Sequence, residues 1–205
     1  MDPKPAKYAP KSDGDIIDVV TRYPFVWIVS AADGFGATQL PVRPHIEEGR
    51  LTGLIGHFGR SNPQVERLRA RPRALLLLTG PHGYISPSWL TDRTQAPTWN
   101  YASIAFDCDI RLIEDAPGIE ALLRDLIDTM EAGRDAAWSL DDMGERAARL
   151  ARGVVGFHAR IIDMQPAFKM GQDEAAQEYG EILTALDREG ATDLAAAMRQ
   201  QNPGR

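Results

Sequence analysis

The sequence predicts an α+β fold in which helices are added to the outside of a β-barrel. Strand-like segments crowd the first half of the chain and helical periodicity dominates the second. The regular strand–helix alternation of a parallel sheet is therefore absent. Two segments, Phe25–Ser30 (FVWIVS) and Arg73–Thr79 (RALLLLT), are apolar on both faces, as strands covered on both sides are. The outer face of a lone barrel is wet, so a helix or a second subunit must cover these two.

The elements follow in chain order. Asp13 and Asp15 start a short helix through Ile16, Ile17, Val19 and Val20, which must stop before Pro24. The FVWIVS strand comes next, and Asp33-Gly34 turns the chain into a second strand, Gly36–Val42. Leu51–Phe58 is a third. Asn62 suits an N-cap and Pro63 the first helical position, so a helix opens there and ends at Pro72. After RALLLLT, the stretch Gly80–Ser88 reads as a turn followed by an extended piece. Asn100–Ile113 alternates strictly. Ala102, Ile104, Phe106, Cys108, Ile110 and Leu112 share one face, and Ser103, Ala105, Asp107, Asp109 and Arg111 the other. Ile119, Leu122, Leu123, Leu126, Ile127 and Met130 have helical spacing. Asp141–Ala151 reads as another helix, Val154–Met164 as a strand, and Ala175–Leu186 and Asp193–Gln200 as closing helices. No linker divides the 205 residues, which gives a single domain. Its barrel core spans about residues 24–113 and 153–170, with helical additions at about 114–152 and 173–201.

Composition excludes several classes. The one cysteine, Cys108, permits no intrachain disulfide and fits a reducing cytoplasm. The longest apolar run, Ala74–Leu78, is far below the roughly 20 residues of a membrane helix. The charged, Pro-rich start is no secretory signal. Net charge is −6, with 13 basic and 11 acidic residues in 1–112 but 10 and 18 in 113–205. An acidic chain repels nucleic acid, and Arg67, Arg69, Arg71 and Arg73 read as a solvated face plus a loop. His45, His57, His82 and His158 lack metal-ligand spacing. Gly53, Gly56 and Gly59 form GxxGxxG rather than the dinucleotide-binding GxGxxG.

Two segments could carry binding chemistry. In GHFGRSNPQ (56–64) a helix start offers unpaired N–H groups to an anion, with Arg60 and the Ser61 hydroxyl beside it; the alternative is an ordinary capped helix. In PTWNYA (97–102), Thr98 and Asn100 extend the apolar face of the long strand and turn it polar, as the rim of a pocket would; the alternative is strand-end capping.

The order KYAP, FGATQLPV, GHFGRSNPQ, LTGPHGYISPSW, PTWNYA and GVVGFHARI…FKMGQ resembles the PaiB family, the FMN-binding negative transcriptional regulators, from Tyr8 to about Gln172. The resemblance implies a split β-barrel of the pyridoxamine-phosphate-oxidase type and a homodimer with FMN at its interface. It assigns GHFGRSNPQ, with His57, to FMN handling, and Arg60, Ser61 and Asn62 to the phosphate. Thr38 and Gln39 are further candidates. Thr98 and Asn100 would line the isoalloxazine or ribityl region, and Lys169 and Gln172 would close the site. This chain departs from the family pattern at Gln39, Val65, Gly171 and Asp173. The carboxylate of Asp173 disfavours a phosphate beside it.

Three functions compete. The first is an FMN flavoprotein, an oxidoreductase if a nicotinamide cofactor donates electrons. The second is a transcriptional regulator, which the charge opposes. The third is a non-catalytic sensor of a flavin or haem-type ligand, favoured by the lack of an evident acid, base or nucleophile set.

Overall fold

The computed structural model describes residues 6–205, so the first five residues of the charged start read above as lacking a signal lie outside the described residues. Six strands form a closed barrel: β1 (Phe25–Ser30), β2 (Gly36–Glu47), β3 (Arg50–Gly59), β4 (Arg73–Ile85), β5 (Thr98–Ile113) and β6 (Val154–Lys169), in the order β1-β2-β3-β6-β5-β4. The helices are α1 (Asp13–Arg22), α2 (Pro63–Ala70), α3 (Ala116–Glu131), α4 (Arg146–Ala151), α5 (Ala176–Arg188) and α6 (Thr192–Gln201). The α+β barrel expected from the sequence is the observed fold.

The chain divides into two compact units. The larger holds Val20–Leu78 and Ala105–Met164. Its interior is built from the inward residues of the strands, among them Val26, Ile28, Leu54, Phe58, Leu76, Phe106 and Phe157, all but excluded from solvent. The β1–β2 turn holds Asp33 and Gly34 at positive φ, as a tight hairpin requires. Arg67 pins this turn by donating to the carbonyls of Ala32 and Gly34. The arginines of RLRARPR are thus partly structural. Arg69 pairs with Glu66 and Glu114, and Arg73 with Asp107 and Asp109. Two glycines of GxxGxxG, Gly53 and Gly56, serve close packing of β3 on its neighbours β6 and β2, while a Cβ on Gly59 would meet nothing within 4 Å. A Cβ on Gly53 would lie 2.9 Å from the Ala159 carbonyl oxygen. One on Gly56 would lie 2.7 Å from the Phe157 ring and 2.9 Å from the Pro41 carbonyl oxygen.

The second unit holds Thr79–Ile104, Gln165–Arg205 and the described part of the first 19 residues. Its core includes Phe168, Met170, Ile182, Leu194 and Met198. Here the structure corrects one expectation. The turn expected at the start of Gly80–Ser88 is replaced by the continuation of β4, which runs on through Ile85 into the expected extended piece. Gly80 permits this because a Cβ there would meet Val19 at 3.0 Å and Ala102 at 3.2 Å. A second correction concerns Asp141–Ala151. Gly144 at φ 53° interrupts it, leaving a 3-10 turn (Leu140–Met143) before the short α4. The Asp142 carboxylate accepts from the backbone N–H and hydroxyl of Ser139 and fixes that turn. Among the described residues, no helix is long and apolar enough to cross a membrane.

Candidate functional site

In the larger unit, the GHFGRSNPQ segment folds as the sequence implies and yet spends most of its donors internally. Asn62 caps α2: its Oδ1 accepts from the Gln64 N–H at 2.9 Å, and its Nδ2 donates to Thr38 Oγ1 at 3.1 Å. The Val65 N–H donates to the Asn62 carbonyl at 3.0 Å, and Pro63 has no N–H to offer. The first turn of α2 is therefore largely satisfied. Gln64 is buried, and its Nε2 donates to the Ile28 carbonyl at 2.8 Å, tying α2 to β1.

Arg60 is also engaged. Its Nε donates to the Arg152 carbonyl at 2.8 Å and an Nη to the Val154 carbonyl at 2.9 Å, while Glu114 lies 3.5 Å from the other Nη. The cause is register. Gly59 pairs with Val154, so the next residue along β3 meets the carbonyls at the junction of α4 and β6. Arg60, a phosphate candidate by the resemblance, thus already serves two carbonyls and faces Glu114. Ser61 is exposed in the turn closed by the Asn62 N–H on the Gly59 carbonyl.

Thr38 and Gln39, being adjacent in β2, point to opposite faces. Thr38 is in register with the buried Ile28, and Gln39 with the exposed Trp27. His57 faces away from the interior that holds Leu54 and Phe58, toward α3, and burial holds its imidazole pKa below the usual histidine value.

In the second unit, Thr98, Asn100, Lys169 and Gln172 come from β5 and the end of β6. The Lys169 ammonium contacts the Thr98 hydroxyl, and no carboxylate of the described residues is within ion-pair distance of it. Both line a cavity of about 210 Å³ with Asp173, Glu174, Leu90 and Ile182. Burial, then the neighbouring Asp173 charge, pushes the Glu174 carboxyl above its usual pKa. Asp173 accepts from Lys7 Nζ at 2.9 Å and Tyr8 OH at 3.0 Å. Burial alone would raise its pKa, but these bonds outweigh it and the net shift is downward.

Asn100 is fully buried; its Nδ2 reaches only the Met198 sulfur at 3.5 Å, and its Oδ1 has no partner. Leaving such an atom unpaired costs about 1–3 kcal/mol. Gln172 instead closes its own loop. Its Oε1 accepts from the Met170 N–H at 2.7 Å and its Nε2 donates to the Phe168 carbonyl at 2.5 Å. The loop passes through Gly171 at φ 77°. Asn202 and Arg205 donate to the Met170 and Gly171 carbonyls and hold it in place.

Lys7 and Tyr8 belong to the KYAP motif, but neither they nor Asn202 and Arg205 were named as site residues, because these contacts join residues far apart in the chain. Among the described residues, no group of three or more His, Cys, Asp or Glu is placed to share a metal.

Comparison with known proteins adds the following. A family described as "Putative FMN-binding domain" matches residues 4–163. Protease synthase and sporulation protein PAI 2 of Bacillus subtilis is 30% identical over 154 residues, covering 75% of this chain and 73% of that protein. An uncharacterised protein of Aspergillus fumigatus is 25% identical, with 67% of each covered. Among solved structures, the FAD and heme binding protein from Mycobacterium smegmatis superposes with a TM-score of 0.59 at 15% identity, covering 83% of this chain and 77% of that one. The flavocytochrome Anf3 from Azotobacter vinelandii superposes with a TM-score of 0.60 at 14% identity, covering 84% and 73%. At such identities the structures share the fold.

Proposed function

The chain belongs to the PaiB family of FMN-binding-domain proteins, and from that premise we propose that it is a flavoprotein whose FMN is held through Lys169, Thr98 and Asn100. The observation that carries this assignment is the state of the two candidate cations. Arg60 is spent on two carbonyls and Glu114, whereas Lys169 bonds only the Thr98 hydroxyl and meets the Glu174 charge of the same cavity at longer range, without an ion pair. A phosphate gains most from the cation that is not already neutralised. Lys169 and the Thr98 hydroxyl are the phosphate donors. The unpaired Oδ1 of Asn100 suits an N–H or O–H of the ribityl–isoalloxazine part. Asp173, held by Lys7 and Tyr8, repels a phosphate less than a free carboxylate would. FMN, when bound, supplies hydride and one-electron chemistry. The protein's part is to bind the phosphate, orient the ring and exclude water.

We further propose that a second copy of the chain covers the outer face of β1 and β4. Phe25, Trp27, Leu75 and Leu77 stand 56, 47, 44 and 39% exposed there, with Trp27 and Leu77 in register. Four large apolar side chains side by side form the kind of patch that a monomer seldom leaves wet. A homodimer covers it with the same surface of its partner.

Titration of the purified protein with FMN, followed by flavin fluorescence, tests the reading. Saturable binding of one FMN per chain is expected, and its absence refutes the assignment. The acidic net charge speaks against DNA as a partner. Oxidation of a nicotinamide cofactor by the FMN-loaded protein separates a flavin-dependent oxidoreductase from a flavin sensor.

A further inference from the structure

The chain carries a second cavity that the flavin reading does not use. It lies within the larger unit, on the outer side of β3, with α3 and the segment after it as its other wall. Its volume is about 290 Å³, and His57, Leu123, Leu126, Ile127, Met130 and Trp138 line it.

The sequence pattern of α3 explains why the cavity exists. The helix has two apolar stripes. Ile119 and Leu122 are buried and attach it to the rest of its unit. Leu123, Leu126, Ile127 and Met130 form the other stripe, at i, i+3, i+4 and i+7. They are only half-buried, and Met130 is 44% exposed. This second stripe has no protein partner filling the space before it.

The polar contribution is small and specific. His57 has a buried Nδ1 with no hydrogen-bond partner, and no other bond to its ring is present. An N–H buried without an acceptor is the costlier alternative. The proton therefore belongs on the other ring nitrogen, which makes that edge a single donor. Burial keeps the ring neutral near pH 7, so it presents no cation. Glu131 also lines the cavity, with one oxygen accepting from the Trp138 N–H. Its other oxygen lies 3.5 Å from Arg134, which is not among the lining residues, so the lining itself offers no cation to an anion such as the FMN phosphate.

We propose that this cavity binds a small uncharged aromatic molecule carrying one oxygen acceptor, such as a phenol, a naphthol or an aryl ketone. The occupant follows from three properties. The walls are apolar and include an indole, which favours a ring. The ring donors of the lining are those of His57 and Trp138, and no cation is among the lining residues. At the roughly 30 Å³ that a water molecule occupies in the liquid, the cavity has room for about ten non-hydrogen atoms.

The test is calorimetric titration of the full chain with 1-naphthol, with and without saturating FMN, alongside ¹⁵N spectra of the His57 imidazole. Saturable 1:1 binding that shifts the His57 ring nitrogens, equal in the two flavin states, is expected. His57→Phe keeps the ring and deletes the donor, and should weaken binding about 3- to 10-fold. Leu126→Trp fills the cavity from a half-exposed position. It should abolish naphthol binding while the FMN titration is unchanged and circular dichroism shows an intact fold. Lack of saturation up to the solubility limit overturns the proposal. So does binding indifferent to both substitutions. Displacement of naphthol by FMN would also overturn it, by making the cavity part of the flavin site. Because naphthol is titrated without flavin too, failure here is distinguishable from failure of the FMN assignment.

Discussion

Asn62→Ala and Lys169→Met should part along different axes. Asn62 accepts from the Gln64 N–H at 2.9 Å as the cap of α2, and losing such a cap costs about 1 kcal/mol. It also donates to Thr38 at 3.1 Å, and a side-chain bond of this kind contributes about 1 kcal/mol. Together the substitution removes about 2 kcal/mol of stability. For a domain of this size, each kcal/mol moves Tm by about 2–4 °C, so thermal unfolding should shift down by about 4–8 °C. FMN affinity, measured well below that Tm, should stay within about twofold, because the cap's polar atoms are already used. Lys169→Met does the opposite. Its ammonium has no ion-pair partner to abandon, so Tm barely changes in the absence of flavin. Loss of a charged contact worth about 1.5–3 kcal/mol weakens FMN about 10- to 150-fold. Differential scanning fluorimetry and fluorescence titration read the two axes. The reasoning is refuted if Asn62→Ala loses FMN at unchanged Tm, or if Lys169→Met binds FMN like the parent.

Further outcomes follow from single contacts. Gly56→Ala should cost about 3 kcal/mol or more, seen as a lowered urea midpoint, since its Cβ would press on the fixed Pro41 carbonyl at 2.9 Å as well as on Phe157. Cys108 is fully buried and its thiol is pushed up to about 12, chiefly by desolvation. The unfolded chain ionises this thiol near 9 while the folded chain does not. Stability should therefore fall between pH 9 and 12, by up to about 1.4 kcal/mol per pH unit from this group. Cys108→Ala should flatten that part of the urea-derived profile. Trp27→Glu, on the exposed face of β1, should leave circular dichroism unchanged and halve the mass found by sedimentation velocity; a parent that is already monomeric refutes the dimer.

What was legible in the sequence was whatever is set locally. The strict alternation of β5 reappears as burial of Ala102, Ile104, Phe106, Cys108 and Ile110, because a strand's faces follow from its period. The Asn62-Pro63 helix start was legible for the same reason. β4 misled because Gly and Pro are turn formers by intrinsic preference, yet Gly80 is required here for its lack of a Cβ, as Val19 and Ala102 crowd it. Arg60 shows the complementary limit. Its position before a helix start was read correctly, but the carbonyls of Arg152 and Val154 that claim it arrive from residues about 90 positions away. No local pattern encodes them.

The same distinction bears on where this chain's cofactor chemistry resides. The family match ends at residue 163, and Lys169, Gln172 and Asp173 lie beyond it. They are ordered by contacts with residues distant in the chain. Gly171 at φ 77° lets the loop turn, since a Cβ there would meet Met198 at 3.1 Å. Asn202 and Arg205 fix its carbonyls, and Asp173 draws in Lys7 and Tyr8. The two departures from the family pattern at 171 and 173 are therefore coupled to packing. Glycine admits the α6 side chain, and the new carboxylate is bonded by an ammonium and a phenol that lower its pKa. An isolated aspartate beside Lys169 would compete with a phosphate for its charge. An aspartate committed to Lys7 and Tyr8 competes less, so the proposed phosphate position at Lys169 is compatible with the Gly171–Asp173 pair.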